Sequence, residues 1–302
     1  MSAFLQSLLG IVIPLFAVSS MASVGLAHPL REVTRPLRRP VKVAMALLAN
    51  FVVVPLLGLL LLRVFDLALP QKVGLFLVAS AAGAPFLLAL VRTARADGAL
   101  AGGLLMLLLP STLVFLPLVL PLALPEAHEH VGAVARSLAL TLLLPLALGI
   151  VARWRFGQRV ERLLPVLQKV STLSLLLLLP ASLLANLRAI ASLRGTGAIP
   201  AAALLVAGAL LTGYLAGVPT REWRVVLGLG TGQRNVAAAM TVATSGFDTE
   251  EPLVMVVVTS LVGFALLFPA AWALRRLLER HRAPRRPRFS EPETEQLGRR
   301  RA

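Results

Sequence analysis

The run Gly228-Leu229-Gly230-Thr231-Gly232-Gln233-Arg234-Asn235 gathers a guanidinium, two amides and a hydroxyl inside an otherwise apolar stretch. Such groups hold an anion through charge-assisted hydrogen bonds. Gly228 and Gly232 form a G-x-x-x-G close-contact motif, and helix packing is the plain reading of those glycines alone. It leaves Arg234 unexplained, because an arginine at the centre of a membrane span costs roughly 2.5–3.5 kcal/mol on insertion scales. Arg234 is therefore expected to face a wet cavity or an anion. No Walker lysine follows the glycines and no strand precedes them, which excludes a nucleotide loop.

A second unusual run is Ala79-Ser80-Ala81-Ala82-Gly83-Ala84-Pro85-Phe86. Pro85 removes a backbone donor and clashes with the preceding turn. Glycines at Gly83, Gly228, Gly230 and Gly232 cost a helix about 1 kcal/mol each relative to alanine. Two interrupted helices are the expectation, with the freed backbone groups satisfied by protein or by water in a cavity. Asn50, mid-span in Ala49-Asn50-Phe51-Val52-Val53-Val54-Pro55, lines the same cavity or makes an interhelical hydrogen bond.

Other chemistry is excluded. All 14 carboxylates fall in predicted loops, in the tail or at span ends, whereas a cation pump or proton antiporter keeps a buried carboxylate for coupling. Neither an H-E-x-x-H pattern nor a paired-aspartate or Ser–His arrangement occurs at membrane depth. The four histidines (His28, His128, His130, His281) fall in predicted loops, and there is no cysteine for a disulfide or thiolate metal site. The chain does not read as an enzyme.

The elements that must carry these residues follow from composition. Of 302 residues, 57% are hydrophobic and 15% charged, with a mean hydropathy of +0.83; soluble proteins carry about 25% charged residues. Solid runs such as Leu104–Leu109 and Leu175–Leu179 are unlike the alternating strands of a barrel. The reading is an all-α polytopic membrane protein with nine spans: 3–27, 41–62, 73–91, 98–124, 131–152, 165–187, 198–218, 225–246 and 252–274. The net charge of +16 sits in short clusters between spans, so nucleic acid is not the expected partner. With Arg234 inside a span, the other basic residues divide 24 to 5 between the two sides. That split predicts the N-terminus outside and the C-terminus in the cytoplasm, and a bacterial inner membrane is the expected location. The first span lacks a basic n-region and reads as an anchor rather than a signal peptide. The region from 275 to 302 reads as a disordered basic cytoplasmic tail behind a transporter domain of residues 1–274.

The interrupted spans are the third and eighth, each penultimate in its half. Five spans apart, they run in opposite directions, as an inverted repeat of four and five spans requires (about 1–124 and 131–274). Paired broken helices of this kind mark a transporter's binding site.

These residues resemble the bile acid:sodium symporter superfamily of secondary transporters. The matching pieces are Met21 with Gly25-Leu26, Arg38-Arg39-Pro40, Asn50-Phe51 with Pro55, Gly83-Ala84-Pro85-Phe86, and above all Thr231-Gly232-Gln233-Arg234-Asn235. The resemblance implies a panel domain and a core domain, with the broken helices crossing in the core and the family's first helix lost. Substrates are implied to be small organic anions, and sodium the coupling ion. The family's crossing-region glutamate reads here as Gly230, and its Ser-Asn pair as Pro85-Phe86. That leaves Asn50 and Asn235 as oxygen donors for sodium, a poor cage without a carboxylate. Arg234 takes over part of the coupling ion's electrostatic role, and weak or no sodium dependence is expected.

The resulting expectation is alternating-access transport of a small organic anion. Arg234, Thr231, Gln233 and Asn235 contact substrate, Gly83 and Pro85 shape the opposite break, and Asn50 lines the cavity. A facilitative exporter resembling the auxin-efflux carriers, and a non-transporting sensor or scaffold, are the alternatives.

Overall fold

A chain this apolar must satisfy its backbone within each segment, and helices do so. The computed structural model describes residues 3–27, 39–123, 131–185, 195–245 and 251–282, with the single positions 187, 191 and 193, and these contain no strand. Arg31, Arg35, Arg38, Asn186, Arg188, Arg194 and the tail beyond 282 lie outside the described residues.

The order is α1 (Ala3–Ala27), α2 (Pro40–Val64), α3 (Leu69–Ser80), α4 (Leu87–Thr93) and α5 (Gly98–Ala123). Then come α6 (Val131–Leu138 and Leu144–Phe156, joined through Ala139–Leu143), α7 (Leu164–Ala185) and α8 (Ala198–Ala216). The last are α9 (Arg221–Gly232), α10 (Val236–Ser245) and α11 (Glu251–Arg282). Each of the nine sequence-predicted spans holds a helix. Among the described residues, six helical stretches are long and apolar enough to cross a membrane, one of them the 49-residue stretch Arg136–Leu184 that holds the fifth and sixth spans. The third and eighth spans fall outside that six because each is interrupted, α3 from α4 and α9 from α10.

Prolines shape two further helices. Pro55 and Pro145 offer no N–H to Phe51 and Thr141 four residues earlier, so the ladder slips by one residue. The result is a π turn at Ala49–Val53 in α2 and another at Ala139–Leu143 in α6. The first carries Asn50. α11 stays helical past Leu274, where the tail was expected to begin. An i,i+4 bond from Arg275 to Glu279 (2.9 Å) supports that extension, as does the Arg276 guanidinium 3.4 Å over the Trp272 ring.

The helices sort into two bodies. α1 packs along α6 and α7 as a three-helix layer, while α2–α5 and α8–α11 pack among themselves as a thicker block. Layer and block meet where α1 and α6 touch α10, where α6 touches α5 and where α7 touches α11. Within the block, every residue from Val73 to Ser80 and from Val225 to Gly232 is buried, whereas α7 turns Leu173, Leu176, Leu177 and Leu184 outward, as lipid allows.

Glycines bring the layer's backbones together. A Cβ on Gly25 would lie 2.4 Å from Leu146 O, and one on Gly149 would lie 2.6 Å from Ala22 O. Gly25→Leu is expected to wedge α1 from α6 and destabilise the protein by about 1–3 kcal/mol. Gly10→Leu, with nothing within 4 Å of its Cβ position, should leave the unfolding midpoint in detergent unchanged.

Candidate binding site at the crossed helix breaks

α3 stops at Ser80, and the chain passes through Ala81 to Phe86 without helix before α4 begins. Gly83 adopts φ +74°, and a Cβ there would lie 2.8 Å from Leu109 N, so both conformation and space select glycine. In the other break, Gln233 is extended (φ −80°, ψ 107°) after α9 ends. α9 runs unbroken through Gly228 and Gly230, so the interruption begins only after Gly232. Gly228 and Gly230 are packing positions instead. A Cβ on Gly228 would lie 3.2 Å from Tyr214 Cβ, and one on Gly230 would lie 2.7 Å from a Leu104 methyl. Close packing offsets the helix cost of those two glycines.

The freed backbone groups find partners in each other. The Asn235 N–H donates to Ala81 O (2.8 Å), and its Nδ2 donates to Gly83 O (3.2 Å). Thr112 of α5 accepts from Ala82 N (3.0 Å) and donates to Ala82 O (2.9 Å). Asn235 Oδ1 accepts from Ala238 N (3.1 Å) and so caps α10.

Arg234 is 3% exposed. Its Nε donates to Val78 O (3.0 Å) and its Nη2 to Ala79 O (2.7 Å), both in the last turn of α3. Its Nη1 donates to Thr231 O (3.1 Å) and to Asn50 Oδ1 (3.0 Å). Asn50 Nδ2 in turn donates to Thr231 Oγ1 and to Ala46 O, each at 3.0 Å. Asn50, Thr231 and Arg234 thus form one cluster joining α2, α3 and α9. The guanidinium faces protein carbonyls rather than open cavity, because the C-terminal ends of α3 and α9 both present acceptors at the crossing.

A small cleft lies beside the cluster, between layer and block. Ser20 of α1 and Ser171 and Thr172 of α7 line one wall. Opposite are Pro85, Phe86, Gln233 and the first turn of α10, with only an edge of Arg234. Phe86 stacks edge-to-face on Phe264, 4.8 Å between centroids. Hydroxyls and a helix N-terminus suit a carboxylate, and the aromatic wall suits an apolar body. Gln233, Asn235 and Pro85 therefore border this cleft, and Gly83 shapes the loop behind it. Asn50 and Thr231 act one layer deeper. Ser20, Ser171 and Thr172 escape the sequence reading; the only signal is paired hydroxyls, Ser19-Ser20 and Ser171-Thr172, on apolar helices.

The donor set does not fit the sodium ion that the resemblance implies. Asn50 Oδ1 already accepts from a guanidinium and Asn235 Oδ1 from a backbone N–H. The space around Gly230, where the family's glutamate would stand, is filled by Leu87 and Leu104. In this structure Asn50 is a hydrogen-bond partner of Arg234, and Asn235 caps α10. Among the described residues, no three His, Cys, Asp or Glu side chains cluster for a metal.

No curated protein matches the chain. A profile of the sodium bile acid symporter family matches residues 13–193, more than half of the chain. The matched stretch takes in Asn50, Gly83 and Pro85 and ends before the second break. By that match, and with two broken helices joined at their breaks, the chain belongs to the sodium bile acid symporter family.

Proposed function

We propose that the protein is a secondary transporter of a small organic anion that works by alternating access without sodium coupling. The observation that carries this reading is the cleft where crossed breaks meet the three-helix layer. Movement of the block against the layer would open that cleft to one side and then the other, the halves being inverted repeats. The carboxylate sits at the N-terminus of α10 with Gln233, Ser20 and Ser171, while Phe86 and Phe264 hold the apolar part. Arg234 supplies positive potential from behind rather than direct contact. The N-terminus lies outside and the C-terminus in the cytoplasm of a bacterial inner membrane.

The test is a thermal-shift screen of small carboxylates on the detergent-purified protein, followed by uptake of any hit into proteoliposomes with and without a sodium gradient. A stabilising carboxylate taken up equally in both conditions is expected. Steep sodium stimulation would overturn the uncoupled reading. Paired Ser20→Val and Ser171→Val substitutions should weaken the hit's binding more than tenfold, the scale of hydrogen bonds lost to a charged group, roughly 1.5–3 kcal/mol each. The missing crossing-region carboxylate also favours a facilitative exporter resembling the auxin-efflux carriers. Counterflow that persists without any ion gradient would select that mode.

A further inference from the structure

We propose that Arg234 is a built-in counter-cation: its guanidinium fills a cation site made by the carbonyl ends of two half-helices, and a sodium ion enters that site only when Arg234 is removed. The last carbonyls of a helix lack intrahelical partners and carry the negative end of its dipole. α3 and α9 both end at the crossing. Val78 O and Ala79 O from one and Thr231 O from the other converge with Asn50 Oδ1 on the same guanidinium, at 2.7–3.1 Å. Ser80, the last residue of α3, has a fully buried hydroxyl without a hydrogen-bond partner.

Half-helix C-termini and unwound carbonyls are how membrane proteins hold sodium ions. Hard monovalent cations want several oxygens, and this crossing supplies them. What occupies the place is a guanidinium tethered to the break itself, one residue from Asn235, which ties the two breaks together. A second cation cannot enter beside it against like-charge repulsion. Arg234 is thus a positioning residue that replaces a mobile ion with a covalent one. The inference deepens the uncoupled reading above, yet it concerns the crossing alone and is read without substrate.

The experiment is thermal unfolding of the purified protein in sodium chloride and in choline chloride at equal ionic strength. The wild-type midpoint is expected to be the same in both salts. Arg234→Gln vacates the site, so its midpoint should start lower in choline and climb by several degrees as sodium is raised, as ligand binding to the native state requires. Arg234→Lys keeps the charge and should stay indifferent to the salt. If Arg234→Gln does not survive in choline, recovery of folded protein in sodium and its collapse on exchange support the proposal. Failure in both salts, a folded Arg234→Gln indifferent to sodium, or a wild type stabilised by sodium would each overturn it. Loss of anion uptake in any variant bears on transport and leaves this result untouched.

Discussion

Arg234→Leu is expected to unfold well below the wild type, a loss of about 3–5 kcal/mol, the scale seen when one partner of a buried charged pair is removed. Leucine keeps an apolar bulk in the gap but withdraws every donor. Val78 O, Ala79 O, Thr231 O and Asn50 Oδ1 are then left buried without it. Relief of the arginine's own insertion cost, roughly 2.5–3.5 kcal/mol, works the other way. The penalty wins because several acceptors lose a charged donor at once, each worth about 1.5–3 kcal/mol. Asn50→Ala removes only one of the acceptors and should cost less, near the ~1.7 kcal/mol upper range for membrane hydrogen bonds. The double variant should fall short of the sum, because both changes delete the same Nη1–Oδ1 bond. Chemical unfolding in detergent measures all three. An Arg234→Leu protein as stable as wild type would mean that water reaches those carbonyls.

Gly83→Val should be nearly as damaging, by two separable routes. The residue sits at φ +74°, where a side chain costs roughly 1–2 kcal/mol. Its Cβ would also press on α5, 2.8 Å from Leu109 N and 3.0 Å from Leu108 C. Those are backbone atoms that cannot swing aside, so overpacking adds about 1–3 kcal/mol. Gly195, at φ +83° with nothing within 4 Å, serves as the comparison for the conformational part. The difference between Gly83→Val and Gly195→Val in unfolding midpoint reports the steric part. Gly83→Val should also strain the Gly83 O bond to Asn235 Nδ2 and so disturb the cap of α10. Equal midpoints for the two variants would show that the loop yields where the contact distances say it cannot.

The sequence announces the breaks more clearly than it announces their use. Pro85 and Gly83 mark the first interruption because the proline lacks a donor and the glycine alone tolerates its dihedral. The second is legible only in part. Glycine cost points to Gly228 and Gly230, yet these stay helical because Tyr214 and Leu104 pack where their side chains would be. That Arg234 is deep and costly can be read from hydropathy. Its acceptors cannot, since Val78 and Ala79 lie more than 150 residues away along the chain. Ser20, Ser171 and Thr172 are indistinguishable in sequence from hydroxyls bonded to the preceding turn, and Thr172 makes such a bond to Gln168 O. Only the packing of α1 beside α7 turns them toward one cleft.

The tethering of Arg234 to α3 and α9 also has an electrical consequence. Under the proposed motion the block carries a permanent unit of charge with it. Full passage of that unit through the membrane potential is worth about 2.3 kcal/mol per 100 mV, and partial passage a proportional share. The unloaded carrier would then feel the voltage, whereas a carrier holding a monovalent anion would travel nearly neutral. Transport without any inorganic ion would still be rheogenic, because the voltage would act on the resetting step rather than the delivery step, helping it in efflux and opposing it in uptake.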